Sequence, residues 1–220
     1  MSVEPIVPQG SPGGPRGVYR KTAATRARIL DAALEIFGAA GFEGGSLREV
    51  ADRAGISQAG LLHHYPTKVA LLSAILQRRD DAAEEAAEGI PPGVERLAAL
   101  VDYAREGAAR PTEIAVFAVL SAEATRSVHP AHDYMRRRYE AVTAMLRQSF
   151  VAAGEAGDLQ PGRDPDALAA DLIALWDGLQ VQWLMGVNDI DVARGVERFL
   201  DLHLVAPLRD LVARQRLLSR

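Results

Sequence analysis

The sequence predicts an all-α protein: an N-terminal three-helix head followed by a larger helical body. Three observations carry that expectation. Apolar residues recur at three- and four-residue spacing almost without a break after residue 21. No segment alternates apolar and polar residues as a half-buried strand does. Capping residues, glycines and prolines punctuate the helical runs at intervals that suit about nine helices.

Thr22 or Thr25 is expected to open the first helix, with Ile29, Leu30, Ala33, Leu34 and Phe37 along one side and Gly41 closing it. Phe42 then folds back onto the helix end. Ser46 followed by Glu49 is a capping box, so a second helix begins near Leu47, with Leu47, Val50 and Ala51 as its apolar stripe. Gly55 stands where a left-handed glycine ends a helix. Ser57 caps a third, very short helix that Pro66 stops within about two turns. Thr67 caps a fourth, apolar through Leu71, Leu72, Ile75 and Leu76, then acidic to Gly89, which reads as a connector. Helix, tight glycine turn, helix is the helix-turn-helix pattern, whose second helix is sized for a DNA major groove.

In the body, Pro91-Pro92 precedes a helix with Val94, Leu97, Leu100, Val101 and Ala104 running to Arg110, and Pro111-Thr112 starts the next, to Ser121. Pro130 opens a longer one through Phe150, and Asp164-Pro165 another from Asp166 to Gly186. Asp191 caps the last major helix, which Pro207 breaks or kinks before a terminal piece from Leu208 to Leu218. The boundaries read as a disordered tail over 1–17, a head over 18–67, a connector over 68–89 and a body over 90–220.

Composition narrows the function classes. The chain has 220 residues, 48% of them hydrophobic, and no apolar run long enough to span a bilayer. The first 17 residues are rich in Pro and Gly and lack the apolar core of a secretory signal. Zero cysteines excludes disulfides, thiolate metal sites and cysteine nucleophiles, and suits a reducing cytoplasm. The overall charge of −4 hides an asymmetry: Arg16 to Arg79 holds ten basic residues against five acidic ones, so it carries +5 and the remainder −9. A basic head on an acidic body suits a protein that presents one face to polyphosphate, although ordinary solvated helix faces would give the same count. His129, His132 and Asp133 are the one cluster with metal-like content, but His129 precedes a proline at a helix start, and no metal site is expected there. No phosphate loop, HExxH or GxSxG pattern occurs, so neither enzymatic activity nor a cofactor is expected.

Thr25 to Leu76 resembles the DNA-binding domain of TetR-type (tetracycline-repressor-like) transcriptional regulators. The resemblance runs from RARILDAALEIFGAAGFEGGSLREVADRAGIS through Ser57-Gln58-Ala59-Gly60-Leu61-Leu62-His63-His64-Tyr65, then Pro66-Thr67-Lys68 and Leu71-Leu72, about 50 residues in all. It implies that the Gln58–Tyr65 helix enters the major groove. Gln58, Ala59, Leu61 and His63 then become base or groove contacts, although Leu61 is also wanted by the core, and His64 and Tyr65 are divided between scaffold and backbone contact. Ser46 and Ser57 lie near phosphates, and Lys68 resembles the lysine that clamps the backbone. Arg20, Lys21, Arg26 and Arg28 supply further phosphate or minor-groove contacts. Two departures stand out. Gly45 occupies a position where the family commonly has Thr, and Leu62 replaces a frequent Tyr, so two hydroxyl contacts are lost.

For the body, the resemblance implies a small-molecule cavity and a dimer. The cavity is expected among Tyr103, Phe117, Leu120, Met135, Tyr139, Trp176, Asp177 and Gln180, suiting a small, mostly apolar effector. Any one of these side chains can equally be plain core. The dimer is expected to use Leu168, Leu172, Leu175, Leu179 and Trp183 on one helix with Val192, Val196, Phe199, Leu200 and His203 on the next, as a four-helix bundle about a two-fold axis. The resulting expectation is a cytoplasmic, homodimeric repressor of a palindromic operator. The alternatives are an activator of the same fold and a sensing or interaction protein with weakened DNA binding.

Overall fold

The computed structural model of the chain describes residues 15–187 and 189–218, and side chains from residue 22 onward apart from those of residues 86 and 218. Ten α-helices account for its regular structure among the described residues: α1 Pro15–Gly44, α2 Leu47–Ala54, α3 Gln58–His64, α4 Lys68–Ala87, α5 Val94–Gly107, α6 Pro111–Glu123, α7 His132–Glu155, α8 Pro165–Leu184, α9 Val192–His203 and α10 Leu208–Leu218. None is long and apolar enough to cross a membrane. The expected tail over 1–17 lies outside the described residues as far as residue 14, and α1 already runs from Pro15, earlier than a start at Thr22 or Thr25 allows.

The caps form as the local sequence demands. Ser46 Oγ accepts the Glu49 N–H at 3.2 Å while Glu49 accepts the Ser46 N–H at 2.9 Å, closing the capping box. The Ser46 hydroxyl, which donates to Glu49 Oε2 at 2.7 Å, and the Ser46 N–H together hold the Glu49 carboxyl below the ordinary glutamate value. Ser57 Oγ accepts from Gly60 at 3.1 Å and Thr67 Oγ1 from Ala70 at 3.0 Å. Gly55 ends α2 in the left-handed region. Gly41 adopts φ 72° and ψ 175°, interrupting α1 so that Phe42 turns back to meet Phe37 edge-on.

Two apolar cores result. The first gathers α1, α2, α3 and the first half of α4, and it also draws in α6 through Val116, Phe117 and Leu120, and the start of α7 through Met135. The head is therefore packed onto α6 rather than merely tethered by α4, because α1 lies along α6. The second core is built by α5, α7, α8, α9 and α10. A single antiparallel bridge between Leu159 and Leu204 ties the α7–α8 loop to the end of α9. Arg214 of α10 reaches the buried Asp158 beside it. Pro207 separates α9 from α10 as two distinct helices rather than kinking one.

Candidate nucleic-acid interface and ligand cavity

Helix α3 divides cleanly into two faces. Leu61 is 0% exposed and belongs to the first core, and Tyr65 is buried behind it. The expectation that Leu61 touches a groove is therefore corrected: on a seven-residue helix, this side chain is the anchor that holds α3 to α1. Its burial contributes roughly 1.5–3 kcal/mol to keeping the helix in place. Gln58, Ala59, Leu62 and His63 are exposed and lie on the opposite face, at the i, i+1, i+4, i+5 spacing of one helical side. His64 is half-buried, with its ring 5.6 Å from that of His63. Leu62, treated in the sequence only as a lost hydroxyl, is 38% exposed on the outer face and offers an apolar surface suited to a thymine methyl. Ser57 is exposed at the N-terminus of α3, and Ser46 is half-buried at that of α2.

The basic groups differ in their freedom. Arg28 and Arg48 are exposed on α1 and α2. Arg48 was not singled out from sequence, although its place in the first turn after the Ser46 cap is the signal that marks it. Arg26 leans inward, donating to the Tyr65 hydroxyl at 3.4 Å with its guanidinium 5.3 Å from the ring centroid. Lys68 Nζ donates to the Glu43 carbonyl at 3.1 Å and sits 4.7 Å from the Phe42 ring, so it pins the end of α1. The side chains of Arg20 and Lys21 lie outside the described residues. Gly45 has a steric reason: a Cβ there would stand 2.8 Å from Phe37 and 2.9 Å from Ile36. A threonine needs those two core side chains to move.

The body contains the second site. A cavity of about 260 Å³ opens between α4, α5, α6, α7 and α8. Of the expected residues, Tyr103, Phe117, Met135, Tyr139, Trp176, Asp177 and Gln180 line it. Leu120 does not: it is fully buried in the first core, turned away from the cavity. Tyr103 and Trp176 stack with ring centroids 6.3 Å apart. The Tyr139 hydroxyl donates to Asp177 Oδ2 at 2.6 Å, and burial together with that bond raises its pKa. A second cavity of about 210 Å³ adjoins the first and shares Arg79, Tyr103, Phe117, Trp176 and Gln180 as walls.

Sequence reasoning, drawn to aromatics, overlooked Arg79, Arg96 and Arg138 among the cavity residues. Arg79 was legible in one respect: it continues the inward stripe of Leu71, Leu72, Ile75 and Leu76 along α4. Its neighbours in sequence fasten α4 on two sides. Arg78 pairs with Asp31 of α1 at 2.7 Å, and Asp80 accepts from Tyr134 at 2.8 Å and Arg138 at 3.0 Å on α7. Burial, reinforced by the Asp80 bond, pushes the Tyr134 hydroxyl up to about 12.

A third constellation joins head to body. Glu123 at the end of α6 accepts the Phe42 N–H at 2.8 Å, directly after the Gly41 break. His129 is buried against the edge of the Phe42 ring and lies 3.7 Å from Glu123, so it serves packing at this junction.

Comparison with known proteins fixes the family. Residues 29–75 match the model of bacterial regulatory proteins of the tetR family, and residues 93–206 match that of the C-terminal part of BetI-type transcriptional repressors. The chain belongs to the TetR family. It is thus a transcriptional regulator with a helix-turn-helix. RutR of Escherichia coli K12, an HTH-type transcriptional regulator, is 35% identical over 86 residues, which is 39% of this chain and 41% of RutR. UidR of the same organism is 30% identical over 146 residues, or 62% of this chain and 70% of UidR. Among solved structures, a putative transcriptional regulator from Saccharomonospora viridis in complex with choline is 25% identical with a TM-score of 0.61, covering 81% of this chain and 95% of that one.

The faces of α8 and α9 revise the expected dimer residues of this TetR-family chain. Leu168, Leu172, Val192, Val196 and Leu200 are buried in the subunit's own second core and are not available to a partner. Leu175, Leu179, Trp183, Phe199 and His203 remain half-buried, and Leu202 beside them is 67% exposed. Gly178, one turn from Leu175, has open space where a Cβ would point. Burial and the nearby Arg163 lower the His203 pKa below the ordinary histidine value.

Proposed function

We propose that the protein is a homodimeric, cytoplasmic, non-enzymatic repressor that binds a palindromic operator and is released by a small effector held in the body cavity. The observation that carries the reading is the outer face of α3, where Gln58, Ala59, Leu62 and His63 stand clear of a core that fixes Leu61 behind them. Gln58 has the geometry to pair with adenine N6 and N7 in a major groove, and Ala59 and Leu62 suit thymine methyl groups. Arg28, Arg48, Arg20 and Lys21 supply backbone affinity, Ser46 and Ser57 cap the N-termini of α2 and α3, and Lys68 and Tyr65 set the angle of α3.

Two-fold pairing through Leu175, Leu179, Trp183, Phe199, Leu202 and His203 supports the dimer, which must place two copies of α3 about 34–36 Å apart. For release, α4 is the moving part, since it contacts both head and cavity. The choline complex of the Saccharomonospora protein supports small-molecule sensing by this architecture. Fluorescence anisotropy with duplexes from around the chain's own coding region, across a salt series, tests the operator claim. A duplex that binds no better than random DNA at every salt concentration refutes it. A sensing protein that no longer reads DNA is separated by Gln58→Ala with His63→Ala: operator affinity falls under the proposal and stays unchanged under that alternative.

A further inference from the structure

Arg79 is a half-buried cation without a carboxylate partner, its guanidinium turned into the cavity wall. Its guanidinium lies 3.5 Å from the Phe117 ring centroid, and its Nε is inaccessible to solvent and has no hydrogen-bond partner. Desolvation, reinforced by the neighbouring Arg138 and only partly offset by a hydrogen bond with the Tyr103 hydroxyl, lowers its pKa to about 10, which still leaves it charged at neutral pH. Burying a charge this way is costly unless something pairs with it. Among the described residues lining the larger cavity, the arginines are Arg79, Arg96 and Arg138, and the one carboxylate is Asp177. Asp177 is engaged by Tyr139 at 2.6 Å, and Arg138 is engaged by Asp80 at 3.0 Å. Arg96 donates to the Ile90 carbonyl, while its Nε is buried without a partner too. The charged lining of the cavity is therefore mostly cationic; Ser121, Tyr139 and Gln180 add neutral polar groups, and Val142, Met145, Leu172 and Ile173 supply apolar wall besides the Tyr103–Trp176 stack.

We infer that the cavity takes a small amphipathic carboxylate, its carboxylate held by Arg79 and its apolar body laid against Phe117, Trp176 and Ile173. The inference rests on the reading of this cavity as the effector site and specifies the ligand's charge. A planar guanidinium matches a carboxylate through two parallel N–H···O bonds, an arrangement that a neutral amide reproduces only in part and a quaternary ammonium opposes. The position of Arg79 supplies the coupling. It sits between Arg78, tied to Asp31 of the head, and Asp80, tied to Tyr134 and Arg138 of the body. An anion drawn to Arg79 therefore acts on the one turn of α4 that is fastened to both.

The experiment uses the full chain, with phenylacetate and octanoate as probes beside phenylacetamide, octanamide and benzyltrimethylammonium. Calorimetry and quenching of the Trp176 emission read binding, and operator anisotropy reads release. At least one carboxylate is expected to bind about ten-fold or more tightly than its amide, the ratio given by one charge-assisted hydrogen-bond pair. Arg79→Met is expected to erase that ratio, the carboxylate losing more affinity than its amide, and Arg79→Lys to retain part of it. The wild-type ratio stands as a test even if Arg79→Met fails to fold. Equal binding of carboxylate and amide, a preference for the ammonium, or binding of no probe overturns the inference. If the ammonium binds and releases DNA, the carboxylate assignment falls and the effector-released repressor survives. If a carboxylate binds with the expected preference and leaves the operator complex intact, the assignment survives and release by this cavity falls.

Discussion

Glu123→Ala removes the hydrogen bond that joins the break in α1 to the end of α6. Its Oε2 accepts the Phe42 N–H at 2.8 Å, and its side chain is 26% exposed. A hydrogen bond to a charged acceptor contributes about 1.5–3 kcal/mol in a dry site, and partial exposure brings this to roughly 1–2 kcal/mol. The contact with His129 at 3.7 Å is too loose to add a separate hydrogen bond. Glu123→Gln keeps an acceptor oxygen in place, so it is expected to lose only about half as much. Urea unfolding followed by far-UV circular dichroism, at one fixed protein concentration so that any self-association contributes equally, measures both variants. A Glu123→Ala loss below about 0.5 kcal/mol, or equal losses for Ala and Gln, refutes the claim that this carboxylate fastens head to body.

Further outcomes are expected elsewhere. Leu61→Ala should lose about 2–5 kcal/mol of stability in a denaturation midpoint and should weaken operator and random DNA alike, since the side chain anchors α3 without touching a groove. Gln58→Ala should cost about 1–3 kcal/mol of discrimination between operator and mutated operator in anisotropy, with the salt slope unchanged, whereas Arg28→Ala should lower the slope by about one for every duplex. Gly178→Arg should convert a dimer to monomer in sedimentation velocity with little change in far-UV dichroism, because the arginine meets open space in its own subunit. The Tyr134 hydroxyl, raised to about 12, stabilises the fold fully below the ordinary tyrosine value near 10 and loses that contribution as pH climbs through 12. Tyr134→Phe should therefore flatten the alkaline fall in stability between those limits.

What the sequence made legible was the part whose signals are local. Ser46, Glu49, Gly55, Ser57 and Thr67 cap or stop helices through groups within a few residues, and each does so in the structure. Seven of the expected cavity residues share one wall system because they lie on the inward stripes of four helices, α5 to α8. Leu61 and Leu120 were ambiguous, since a short apolar stripe does not reveal whether its neighbour is core, groove or cavity. Half of the expected dimer residues lie in the chain's own core for a related reason. Leu168, Leu172, Val196 and Leu200 are the strongest apolar positions of α8 and α9, and the chain's own core claims them first, leaving only the weaker positions for the proposed partner. Arg79 was missed because an arginine inside an apolar stripe reads as a solvated end of the helix until α5, α6 and α7 are seen to close over it.

The succession Arg78, Arg79, Asp80 has a consequence for re-engineering the proposed effector response. If Arg79 holds the effector as proposed, attachment and recognition occupy separate side chains on a single turn of α4, so what is detected is separable from how detection is transmitted. New chemical inputs should come from exchanging Val142, Ile173 or Trp176, leaving the two fastening residues intact. Libraries that vary Arg78 or Asp80 should instead yield repressors that are permanently locked or permanently silent, whatever molecule fills the cavity.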